Sequence, residues 1–70
     1  MNTYHLKYFL DAAKAGSMSA SAQKNNITHS AVSQAIKSLE NELGIELLNH
    51  HKRKFELTDT AKASLKSLED

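Results

Sequence analysis

The sequence predicts one small, mainly α domain, and three observations carry the prediction. There is no proline, and Gly16 and Gly44 are the only glycines; strands and tight turns need more punctuation than that. Apolar residues recur at helical spacing in several separate stretches. The 70 residues are enough for a single domain. A hydrophobic share of 40% with 24% charged residues suits a folded chain rather than a disordered one.

The first helix runs from Asn2 or Thr3 to about Ala15. Leu6, Phe9, Leu10 and Ala13 form one apolar face at i, i+3, i+4 and i+7. Asn2 or Thr3 can cap its start, and Gly16 sits where a left-handed residue ends a helix. A short second helix follows from Ser17 or Ser19 to Asn25, with Met18 and Ala22 turned inward. Asn25 and Asn26 break it at a sharp corner, which Ile27 plugs. Thr28 caps a third helix that reaches about Glu42. Its apolar stripe is Val32, Ile36, Leu39 and Leu43, and Gly44 ends it.

From Ile45 to Leu57 the pattern changes. Ile45, Leu47 and Leu48 are apolar, and a polar, basic run from Asn49 to Lys54 follows. Phe55 and Leu57 then alternate with Lys54 and Glu56. That reads as a two-stranded hairpin with a basic tip. Thr58 caps a last helix with Asp59 in its first turn, where a carboxylate suits the helix dipole. Ala61, Leu65 and Leu68 carry its stripe. The expected division is 1–57 as the domain proper and 58–70 as the start of a linker helix.

Composition excludes several function classes. Without cysteine there is no disulfide and no thiolate metal site. No apolar run approaches the ~20 residues that span a bilayer. The stretch from Met1 to Phe9 is polar and broken by His5 and Lys7, unlike a secretion signal, so a cytoplasmic location is expected. A chain this short buries only about 60% of its unfolded surface, which favours oligomerisation as a staple.

The net charge of +1 hides a pattern. Lys7, Lys14, Lys24 and Lys37 outweigh Asp11 before residue 40. Glu40, Glu42 and Glu46 then form an acidic stretch, and Lys52, Arg53 and Lys54 a basic one. Two basic regions separated by an acidic one fit a nucleic-acid surface with two contact points.

Helix, short helix, corner, helix, hairpin, helix is the order of a winged helix-turn-helix. A helix about 10–12 Å across fits a major groove about 12 Å wide. On the third helix Ser30, Gln34 and Lys37 fall opposite the apolar stripe, with Ser33 at the edge; His29 lies nearer the apolar side but in the first turn. These are short hydrogen-bonding groups, an amide suited to adenine and a cation. Glu40 and Glu42 lie at the far end, away from the expected DNA.

The run Ile27-Thr28-His29-Ser30-Ala31-Val32-Ser33-Gln34-Ala35-Ile36-Lys37-Ser38-Leu39-Glu40-Asn41-Glu42-Leu43-Gly44-Ile45-Glu46-Leu47-Leu48 resembles the signature of LysR-type transcriptional regulators. Leu6-x-x-Phe9, Gly16-Ser17-Met18 and Leu57-Thr58 match as well, so the resemblance covers nearly the whole chain. It implies sequence-specific binding to double-stranded DNA and transcription regulation, with helix 28–42 in the major groove and wing 49–55 on flanking phosphates. Thr28, His29, Ser30, Ser33, Gln34 and Lys37 take the recognition role, and Lys52, Arg53 and Lys54 the wing role. It also implies a homodimer paired through the last helix at Ala61, Leu65 and Leu68.

The sequence departs from the family pattern at several positions. A leucine is usual where Asn25 stands, which predicts weaker anchoring of the second helix. An arginine is usual near His50, where imidazole predicts a weaker phosphate contact. Proline is frequent at Ser30, and an alanine-glycine pair at Thr60-Ala61. The family's large effector-binding domain has no counterpart here, so no effector is expected to bind this segment.

Other chemistries find little support. His50 and His51 are adjacent, but His5 and His29 are distant and no metal-ligand spacing occurs, so no metal or cofactor is expected. Ser33 and His29 lie four apart on one helix, yet a helix surface offers no oxyanion site, so no enzyme is expected. The rival reading is a small interaction module that pairs with a regulator subunit through the last helix and modulates its DNA binding.

Overall fold

A computed structural model describes residues 2–50 and 54–69, with the side chains of residues 67–69 left aside. Among the described residues there are four α-helices: α1 (Thr3–Ala15), α2 (Met18–Asn25), α3 (His29–Leu43) and α4 (Asp59–Glu69).

Each boundary has a local cause. Asn2 Oδ1 accepts from the Tyr4 amide at 2.8 Å, Ser17 Oγ from Ala20 at 3.2 Å and Thr28 Oγ1 from Ala31 at 3.0 Å. These side chains satisfy amides that the first turn leaves without a helical acceptor. Gly16 and Gly44 both take φ 69°, a left-handed geometry that glycine reaches without strain. Asn26 does the same at φ 57° and makes the corner between α2 and α3.

The apolar stripes meet in one core. Phe9, Ala12, Ala22, Val32, Ile36, Leu39, Leu47, Leu48 and Ala61 are buried, and Leu6, Leu10, Met18, Ile27, Ile45, Phe55, Leu57 and Leu65 pack around them. Truncating Ile36 or Leu39 to alanine in such a setting costs about 2–5 kcal/mol. Leu43 departs from expectation: it is 43% exposed. The buried face of α3 is completed instead by Ala35 and Glu40.

The hairpin and the last helix bear on two further expectations. The hairpin amounts, among the described residues, to one antiparallel bridge between Leu48 and Leu57. Asn49 N donates to Glu56 O at 2.9 Å and Thr58 N to Leu47 O at 3.0 Å. At the root Thr58 passes directly into α4, where its Oγ1 accepts from Ala61 N at 3.1 Å. The tip of the expected hairpin lies outside the described residues. The correction concerns Ala61, expected at a dimer seam. It is 0% exposed and belongs to the chain's own core, so it has no surface to offer a partner. Leu65 is half-buried against that core, and the side chain of Leu68 is not described.

Candidate nucleic-acid interface

Helix α3 separates its chemistry by face. Thr28, His29, Ser30, Ser33, Gln34 and Lys37 are all exposed, whereas Val32, Ala35, Ile36 and Leu39 are buried. The periodicity causes this split: once the aliphatic stripe packs on α1 and α2, the small polar residues must face outward. Ser30, Ser33, Gln34 and Lys37 thus share one ridge, and the exposed Thr28 and His29 stand at its start, a helix N-terminus that favours anions.

The second basic element is near. Lys54 is exposed and shares an open cleft of about 580 Å³ with Ser17, Ser19, His29 and His50. The start of α2, the start of α3 and the hairpin root therefore surround one polar depression. Lys52 and Arg53 lie outside the described residues. Among the described residues no group of three or more His, Asp or Glu could hold a metal ion.

Two positions differ from their sequence reading. Glu40 does not project into solvent beyond the DNA face; its side chain is 9% exposed. Its Oε2 accepts from the amides of Leu47 at 2.7 Å and Leu48 at 3.2 Å. His50 Nε2 lies 3.0 Å from Oε1 and 3.1 Å from Oε2. The signal was available: Glu40 follows Ile36 by four residues and so shares the inner face. The other position is Asn25, whose expected weak anchoring is corrected. Its Nδ2 donates to Asp11 Oδ2 and to Ser21 O, both at 2.9 Å. Ser21 Oγ donates to Tyr8 O at 2.8 Å. A polar seam thus fastens α2 to α1. The Asn25 hydrogen bond, followed by that of Lys24 at 3.1 Å, holds the Asp11 carboxyl below its ordinary range, although burial acts the other way.

Residues 3–62 match the family described as bacterial regulatory helix-turn-helix proteins of the lysR family. The chain belongs to that family. As a LysR-type domain it is 42% identical over 57 residues to the uncharacterized HTH-type transcriptional regulator YwbI of Bacillus subtilis, covering 81% of this chain and 19% of YwbI. The crystal structure of the CbnR_DBD-DNA complex superposes with a TM-score of 0.84 at 34% identity, over 96% of this chain and 77% of that one. The BenM_DBD/catB site 1 DNA complex gives 0.78 at 32% identity, over 99% and 82%. This is the winged helix-turn-helix fold of LysR-type DNA-binding domains, and the relatives' named role is transcription regulation rather than catalysis. The LysR-type chain spans about a fifth of the length of the curated relatives it matches. Among its described residues no helix is long and apolar enough to cross a membrane.

Proposed function

We propose that this LysR-type domain reads a duplex operator in the cytoplasm, with α3 in the major groove and the hairpin on the flanking phosphates. The observation that carries the reading is the exposed polar ridge of α3 opposite its buried aliphatic face. Gln34 and Ser33 stand where base edges would be read. Thr28, Lys37 and Lys54 would meet phosphates, with Lys52 and Arg53 extending that contact, while His29 and Ser30 would touch DNA from the first turn. The domain acts as a homodimer through α4, with Leu65 and Leu68 at the seam and Ala61 reserved for the core. Its operator is accordingly pseudo-palindromic, with half-sites about one helical turn, or a multiple, apart.

The test is selection from a randomised duplex library by the wild-type chain and by Gln34→Ala. The variant is expected to lose discrimination worth about 1–3 kcal/mol at one base position per half-site, with other positions unchanged. An unaltered base preference would remove Gln34 from the readout.

A further inference from the structure

The recognition helix carries DNA-facing residues on one side and, on the other, a carboxylate that grips the root of the hairpin. One oxygen of Glu40 receives two successive amides, Leu47 and Leu48, and the same carboxylate meets His50 Nε2. Leu48 bridges to Leu57, and Asn49 N donates to Glu56 O, so the grip extends to the returning arm that bears Lys54. Gln34 and Lys37 lie six and three residues before Glu40 on the same helix. Through one side chain, the two elements meant for DNA are held in a fixed relation.

We propose that Glu40 and His50 are positioning residues forming a charge-sensitive latch, which seats the hairpin root against DNA more firmly when His50 carries a proton. The inference rests on the DNA-binding reading above. An acceptor-only carboxylate needs an N–H at Nε2. One neutral tautomer of imidazole supplies it, but imidazolium supplies it always and adds the attraction of opposite charges to the hydrogen bond. Imidazole is also the side chain that ordinarily changes charge between pH 5 and 8. Affinity for DNA therefore rises as pH falls across that interval.

The surroundings of His50 are mixed. On α3, Glu40 and Lys37 line one flank with Glu46 from the segment after it. His29 of α3, with Lys54 and Glu56 of the returning arm, lines the other, and the start of α2 adds only uncharged Ser17, Met18 and Ser19. Lys37 and Lys54 bring positive charge to these flanks and Glu40, Glu46 and Glu56 negative charge, to which bound phosphates would add. His29 is a second imidazole lining the same cleft, so it needs its own control.

The dissociation constant for a mixed-sequence duplex is measured at constant ionic strength at pH 6 and pH 8, using the full chain. Wild type is expected to bind about two- to fivefold tighter at pH 6, the worth of a partly exposed ion pair. His50→Gln keeps a neutral donor and is expected to be flat at the weaker level. His50→Arg keeps the charge and is expected to be flat at the tighter level. His29→Asn is expected to preserve the pH dependence. In the free protein, the Leu47 and Leu48 amide proton shifts are expected to follow the His50 ring titration and to stop doing so in His50→Gln. Amides indifferent to His50 overturn the latch whatever DNA does. Amides that respond beside a flat affinity overturn its role in binding, as does a pH dependence that leaves with His29 instead. A folded wild type that binds duplex at neither pH overturns the functional reading itself and this inference with it.

Discussion

Asparagine 25 shows how far one side chain can be read from sequence. In the chain it looks like a helix breaker, and the family resemblance leads to an expectation of weak anchoring there. In the fold it is a double donor to Asp11 and Ser21, because α1 and α2 pack closely enough to bring residues 14 apart within 2.9 Å. Nothing local to either helix encodes that meeting; it follows from their packing. The seam includes an opposing feature, since Asn25 Oδ1 is buried without a partner. Asn25→Ala should therefore lower stability at neutral pH by about 1–2 kcal/mol, less than a full charged hydrogen bond contributes. Asp11 fixes the pH dependence. Its folded value lies below the ordinary 3.8, so its contribution is present above that value and lost as pH falls through the folded one. Denaturant titrations of both proteins should show a gap that is constant near neutrality and narrows below about pH 4. A gap unchanged in acid would mean that the loss does not run through Asp11.

At the scale of elements, legibility followed locality. The caps at Asn2, Ser17 and Thr28 and the stops at Gly16 and Gly44 depend on neighbours a few residues away, and all could be anticipated. So could most of the α3 stripe. Less legible was the environment of a charged side chain: Glu40 was classed by its charge although its spacing placed it inward. Thr58 joins these elements. Its hydroxyl accepts from Ala61 N at 3.1 Å and donates to Glu46 O at 2.7 Å, tying the start of α4 to the segment that follows α3. Thr58→Ala should lower stability by about 1–2 kcal/mol, a lost cap with a lost tie, whereas Thr58→Ser should stay within about 0.5 kcal/mol of wild type. Urea unfolding followed by helical circular dichroism reads both. Equal losses would show that the methyl group, not the hydroxyl, carries the effect.

Across the whole molecule, the polar cleft and the apolar groove are lined by different residues. The polar ridge of α3 and the cleft with Lys54 form one side, while Leu65 borders a shallow 150 Å³ groove with Leu10, Ala13 and Lys14. A net charge of +1 is too small for a generally basic surface to drive binding, so any attraction to DNA must be local. Each phosphate neutralised by a cation contributes about 0.9 to the slope of log affinity against log salt. Lys54→Ala removes one such cation per chain. If one chain occupies the duplex, the slope should flatten by about 0.9; if two chains bind together through α4, it should flatten by about 1.8, because each copy loses its contact. The proposed homodimer requires the larger change, accompanied by base preferences identical to wild type, since a phosphate contact positions the domain without reading sequence. A change near 0.9 would assign the contact correctly and reject the paired arrangement, and an unchanged slope would remove Lys54 from the interface.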